Sequence, residues 1–391
     1  MLTVFEINNF KSLQNFSIRF SSKLTVLIGL NGAGKSTVLQ GLDFLANLAQ
    51  IEGISKFLDL RGWEKNELYT KFLGKPWSPL ISYSLLFDVG EEYYKWSGAY
   101  NGNIGKCTKE EIKWVDRKED QEKLMELKEG ILHDSDLIWP KDVDFRKIGY
   151  RGSIISLFSE QDPYSLVWNE VSNILSIDLL SPEQMRRRSR LMPKRGVGLG
   201  GEQLSIFLHR LTNEQKVQIA EVMENFYPHF MSFQTQSMRG GGIKLKVIEH
   251  YESDTFISTE SRHLNDGMLR VLAIIAETLF TKGTVLIDEI EDGINPDLLE
   301  KLVSYLLNDC PCQVILTTHS PLLLNFLPDD DAEKIVQFIY KDGLGITKSV
   351  PFFSIPKVGD LLGMLGAGEA MLQFNMDEVA EMAEQVNDME K

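Results

Sequence analysis

The chain has 391 residues, 43% of them hydrophobic and 25% charged, and a formal net charge of -15. That length implies one large domain with an insertion, or two lobes, and the apolar fraction is ordinary for a globular protein. The acidic balance argues against coating nucleic acid by bulk electrostatics, while leaving room for a local basic groove. The three cysteines, Cys107, Cys310 and Cys312, imply a reduced, cytoplasmic setting. Cys310-Pro311-Cys312 lacks the spacing of a zinc site and reads as buried strand-edge residues. Residues 1–13 show no basic and apolar leader. Apolar runs such as Val271 to Ile275 are too short to cross a bilayer, so no membrane contact is expected.

In chain order, Thr3 to Ile7, Phe16 to Phe20 and Leu24 to Ile28 are short β-rich runs, broken by Asn8-Asn9 and Ser21-Ser22. A glycine-rich turn follows at Gly29, then a helical pattern from Lys35 to Ala49. Ile81 to Asp88 and Glu92 to Tyr100 read as an antiparallel pair. From residue 101 to 262 the pattern is mainly helical and loop-like, with Lys109 to Lys128 a highly charged helix candidate and Glu202 to Tyr227 apolar at helical spacing. Within that stretch Ile243 to His250 and Asp254 to Ser258 read as strands. Helix from Gly267 to Thr281, strand Thr284 to Ile287, helix from Pro296 to Leu307 and strand Gln313 to Thr317 then imply a parallel sheet.

Gly29-Leu30-Asn31-Gly32-Ala33-Gly34-Lys35-Ser36 fits G-x-x-x-x-G-K-[ST], between a predicted strand and a predicted helix. Glycines let backbone N–H groups wrap phosphate oxygens, and the helix start adds a favourable dipole. Asn31, Gly32, Ala33, Gly34, Lys35, Ser36 and Thr37 are the expected nucleotide contacts. Lys35 reaches the terminal phosphates, and Ser36 offers a hydroxyl to Mg²⁺. The apolar run Thr284 to Ile287 ends in Asp288-Glu289. A buried parallel strand presents its C-terminal end at the ligand edge of its sheet. Asp288 is therefore a second Mg²⁺ candidate, and Glu289 the candidate that polarises the attacking water. The next strand ends in Thr317-Thr318-His319-Ser320, placing His319 at the same edge as a contact for the γ-phosphate.

Together these motifs resemble the ABC-type ATPases of the SMC/RecF class, and within it the compact AAA-labelled ATPases of prokaryotic defence and repair systems. The resemblance rests on the opening Phe5-Glu6-Ile7-Asn8-Asn9-Phe10-Lys11-Ser12-Leu13, the phosphate loop, Leu264-Asn265-Asp266-Gly267-Met268-Leu269-Arg270, the strand ending at Asp288-Glu289 with Glu291 to Pro296, and Thr317 to Ser320. It covers both ends of the chain and only loosely the middle. It implies that Leu264 to Gly267 is the signature motif, with Asn265 in the serine position, and that Asn265 and Gly267 meet ATP held by a partner copy. It also implies a lobe-linking glutamine, for which Gln161 is a weak candidate.

The expected fold is therefore an α/β P-loop NTPase: an ABC ATPase head with a parallel-sheet core, an antiparallel β subdomain and an inserted, mostly helical lobe. Residues 1–105 and 264–350 form the split nucleotide core, 106–263 the insert, and 351–391 a C-terminal tail of helices. Arg186-Arg187-Arg188-Ser189-Arg190, with Lys194 and Arg195, is the dense basic cluster and a candidate contact for a nucleic-acid backbone or an acidic partner. The acidic stretch from Asp377 to Lys391 reads as a terminal helix. The resemblance implies a cytoplasmic ATPase with ATP and Mg²⁺ as ligands, working as a homodimer or higher homo-oligomer. It would control a DNA-related or anti-phage effector, a separate nuclease or toxin. A RecF-like repair ATPase, a transporter's energising subunit and a slowly hydrolysing ATP-sensing scaffold are the alternatives.

Overall fold

A computed structural model describes all residues except 52, 73–75, 91, 116–120, 129, 135–142, 147–149, 161–163, 179, 188–195, 240 and 390–391. Gln161 and Arg188 to Arg195 thus lie outside the described residues.

The centre is a six-stranded sheet. Its order is Ile174–Ile177, Thr284–Ile287, Gln313–Thr317, Leu24–Ile28, Val336–Lys341 and Thr347–Pro351. All neighbours are parallel except the last pair. Leu24–Ile28, Thr284–Ile287 and Gln313–Thr317 are buried at every residue. A parallel sheet is covered on both faces, so its strands read as near-continuous apolar runs. Successive side chains serve opposite faces. Val26, Ile28, Val285, Ile287, Val314 and Leu316 enter one core, while Leu27, Leu286 and Ile315 enter the other.

The first core packs against helices Asp266–Phe280 and Pro296–Asn308 and against an antiparallel sheet of Phe230–Ser237, Ile243–Tyr251 and Thr255–Glu260. The second packs against helix Lys35–Leu48 and an antiparallel sheet that, among the described residues, has eight strands. Leu2–Asn8 and Leu80–Val89 are adjacent near one edge of that sheet, and Glu92–Asn101 and Lys106–Val115 continue it. The C-terminal end forms helices Val358–Leu365, Ala367–Leu372 and Met376–Met389, the last burying Val379 and Ala383 in the first core.

The stretch 106–263 differs from the expected, mostly helical insert. Lys109 to Lys128 falls in a pair of antiparallel strands, Lys106–Val115 and Gln121–Lys128, not in a helix. Cys107, Glu110 and Ile112 point inward, with Lys109 and Glu111 on the other row. The inward row thus includes a carboxylate, which hides the period of two from a hydrophobicity count. Glu110 is tolerated because Trp96 Nε1 and Ile154 N each donate to it at 2.9 Å, and the Ser153 hydroxyl also donates to it. Ile174–Ile177 also lies in this stretch, yet forms the edge of the parallel sheet beside Thr284–Ile287. Helices Leu204–Arg210 and Asn213–Phe226 fall where helical spacing places them.

Candidate functional site

The register of the parallel sheet fixes where the motifs emerge. Ile287 pairs with Leu316, Thr317 with Leu27, and Phe338 with Ile28. The strands that precede Gly29, Asp288 and Thr318 therefore end level with one another, at one edge.

Two glycines give the loop after Ile28 its shape. Gly29 has φ +145°, and a Cβ there would lie 2.0 Å from the Ile339 carbonyl oxygen. Gly34 has φ +111°, and a Cβ there would lie 2.4 Å from Thr347 Oγ1. Both conformations are strained for any residue with a side chain. Gly34 is also the N-cap of helix Lys35–Leu48 and offers no capping side chain. The first-turn N–H groups are thus left for an anion. Asn31 and Gly32 are exposed at the loop tip, Ala33 is buried, and Thr37 lies half-buried in the first turn.

Lys35 is buried, and its Nζ donates to the carbonyl oxygens of Gly29 at 2.8 Å and Leu30 at 3.2 Å. It lies 3.4 Å from His319 Nδ1. Burial lowers the Lys35 pKa to about 8, against the opposing pull of Asp288, Glu289 and Glu291. Ser36 Oγ donates to Asp288 Oδ1 at 3.1 Å, and Thr317 Oγ1 donates to the same oxygen at 2.6 Å. Burial raises the Asp288 carboxyl above the ordinary range, partly offset by the Thr317 and Ser36 hydrogen bonds. Glu289 has φ +48°, a left-handed backbone that a non-glycine residue adopts only under constraint. Its N–H donates to Thr317 Oγ1 at 2.8 Å, and its Oε1 lies 3.7 Å from His319 Nε2. His319 is anchored in turn by its own N–H, which donates to Glu291 Oε1 at 2.6 Å.

Lys35, Ser36, Asp288, Glu289 and His319 are thus one connected cluster. Among the described residues, no hydrogen bond or ion pair joins Asn265 or Gly267 to it. Asn265 caps helix Asp266–Phe280, its Oδ1 accepting from Met268 N at 2.7 Å. A Cβ on Gly267 would meet Tyr227 Oη at 3.4 Å and the Gly293 carbonyl at 3.6 Å. Asn295 caps the following helix in the same way, its Oδ1 accepting from Leu298 N at 2.9 Å ahead of Pro296.

Several participants escape sequence reasoning. Thr317 ties Asp288 to the Glu289 backbone, yet reads as the last residue of a strand. Thr347 is buried, with its Oγ1 2.8 Å from the Ala33 carbonyl and 2.7 Å from Ser12 Oγ, bracing the loop from a distant strand. Arg61 joins Asp43 at 2.6 Å and also Asp178, which links helix Gly53–Arg61 to the loop helix and the sheet edge. Lys11 Nζ sits 3.1 Å over the Trp63 ring and donates to Gln40 at 3.0 Å. Lys11, Ser12, Trp63, Tyr69, Thr70 and Ile346 line an open cavity of about 570 Å³ next to the phosphate loop. Only the residue opening of the motif, Lys11-Ser12, flags any of this in the sequence.

Residues 1–169 match a family model described as "AAA ATPase domain", and residues 152–325 match one described as "AAA domain, putative AbiEii toxin, Type IV TA system". Among solved structures, an SMC head bound to the C-terminal winged-helix domain of ScpA superposes with a TM-score of 0.55 at 12% identity, covering 89% of this chain and 97% of that one. The chain thus has the fold of an SMC head, and AAA ATPase-domain models match along residues 1–325. An SMC head domain from Thermotoga maritima gives a TM-score of 0.46 at 13% identity over 90% of this chain and 98% of that one. The DNA replication and repair protein RecF of Acholeplasma laidlawii (strain PG-8A) is 37% identical over 46 residues. That match spans 12% of this chain and only 13% of the RecF protein. No helix of the chain, among the described residues, is long and apolar enough to cross a membrane.

Proposed function

We propose that this chain binds Mg-ATP at Gly29–Ser36, hydrolyses it, and pairs with a second copy of itself while the triphosphate is intact. The observation that supports this reading is the cluster of Lys35, Ser36, Asp288, Glu289 and His319 at the level ends of three parallel strands.

The residues present suit both ligands. The glycine cradle that a Cβ would fill, and the helix start behind it, fit a polyphosphate. A hydroxyl and a half-buried carboxylate 3.1 Å apart are hard oxygen donors of the kind Mg²⁺ takes. The desolvated Asp288 carboxylate would gain from a cation beside it. Magnesium, when bound, supplies neutralisation of phosphate charge. Lys35 turns its ammonium from the loop carbonyls to the terminal phosphates. Glu289, its backbone fixed by Thr317, accepts a hydrogen bond from the attacking water and polarises it. His319, beside both Lys35 and Glu289, senses the γ-phosphate. The neighbouring cavity at Lys11 and Trp63 gives the nucleoside end room.

Asn265 and the helix behind it would receive the γ-phosphate of a partner copy, so that hydrolysis loosens the pair. The similarity to a RecF repair protein favours a DNA-linked role for this cycle, with a separate effector protein as its output. The test is equilibrium ATP binding with and without Mg²⁺. Wild type should bind, and Lys35→Ala should lose at least about a hundredfold, the scale of a removed charge-assisted phosphate contact. Unchanged affinity in Lys35→Ala would remove the loop from the mechanism.

A further inference from the structure

The first turn of helix Asp266–Phe280 carries an acid, Asp266, beside the cap Asn265. On the reading above, this helix start must accept a triphosphate, and a carboxylate there opposes it. Arg186 answers that charge. Its guanidinium pairs with Asp266 and donates to the Leu264 carbonyl at 2.6 Å. The nearby cations Arg262 and Arg270 pair elsewhere, with Glu260 at 3.1 Å and Asp292 at 3.6 Å.

Arg186 is delivered rigidly. It ends the short helix Pro182–Arg186, which Ser181 caps and whose Met185 is buried in the core. Ser181 N donates to the Gly200 carbonyl at 3.0 Å. Val197 N donates to Glu277 at 2.5 Å, and Glu277 is a buried residue of the same helix that Asp266 opens. The chain on both sides of residues 188–195 is therefore pinned to one helix, at its start through Arg186 and three turns on through Val197. Arg187 pairs with Glu183, so neither described arginine of the basic cluster is without an acidic partner.

We infer that Arg186 is a positioning residue for the signature turn. It cancels the Asp266 charge and fixes the Leu264 carbonyl, which makes the helix start receptive to the partner copy's triphosphate. This rests on the dimer reading of the preceding section. It is a different assignment from contact with a nucleic-acid backbone, because the guanidinium is already committed to Asp266.

The test uses the full chain with Glu289→Gln as parent, following ATP-dependent dimerisation by sedimentation. ATP affinity of the dilute monomer and the thermal midpoint are measured alongside. Arg186→Ala should weaken the ATP-bound dimer by about tenfold or more, as expected for an uncompensated charge at a phosphate contact. Monomer ATP affinity should not change. Arg186→Gln, which keeps a donor for Leu264 but no charge, should weaken the dimer similarly. Adding Asp266→Asn to either should restore most of the loss. Full dimerisation of Arg186→Ala overturns the inference, and so does failure of Asp266→Asn to restore, since mere unfolding is not cured by removing a carboxylate. A parent that binds ATP yet stays monomeric refutes the dimer reading itself, and Arg186's role with it.

Discussion

Lys35 shows how burial and function oppose each other in one side chain. Desolvation lowers its pKa to about 8, and carboxylates nearby only partly compensate. Between that value and the ordinary lysine range, the unfolded chain holds a proton that the folded chain has released. This group's contribution to stability therefore rises with pH across that window. A phosphate ligand needs the charged form, so ATP affinity should run the other way. It should be flat at pH 7 and fall above pH 8, approaching tenfold per unit, as expected for loss of one required proton. Calorimetric titration between pH 7 and pH 9.5 checks this; an affinity constant over that range would mean Lys35 stays charged. Glu289 carries a different kind of cost, a left-handed backbone held by Thr317. Thr317→Val keeps the shape but removes that hydroxyl. It should cut turnover with little change in ATP affinity, and a matched loss of both in rate and binding assays would place Thr317 in binding instead.

At the scale of elements, the apolar strands and the helix starts were legible because each is a local pattern. Leu24–Ile28, Thr284–Ile287 and Gln313–Thr317 are short, mostly apolar runs, and the motifs follow them directly. The strand pair at Lys106–Val115 was not legible, because buried Glu110 breaks the alternation and its partners Trp96, Ser153 and Ile154 lie far along the chain. The Asp43–Arg61–Asp178 group was hidden for the same reason: no local pattern links three residues on separate elements. Asp43 is buried, its carboxyl pushed up by burial and held down chiefly by Arg61. Arg61→Leu strands that carboxylate and should cost about 3 to 5 kcal/mol. Chemical denaturation reads this directly, and Asp43→Asn in the same chain should recover part of it. A stability equal to wild type in Arg61→Leu would show that the three-way pair does not hold helix Gly53–Arg61 to the loop helix.

For the whole molecule, two cores on either side of one parallel sheet carry different halves of the proposed site. The loop helix packs with the second core, while Asp266–Phe280 packs with the first. Within one chain, Asn265 does not join the Lys35 cluster, which is the arrangement expected if the two half-sites complete each other across a pair of copies. Glu289→Gln with ATP should therefore accumulate a dimer, and Lys35→Ala should remain monomeric under the same conditions; light scattering distinguishes them. The most direct test of the account is phosphate release from purified protein with Mg-ATP. Wild type should turn over, Lys35→Ala should not, and Glu289→Gln should fall by about a hundredfold or more, the scale of a lost general base. Turnover in Glu289→Gln equal to wild type would contradict it.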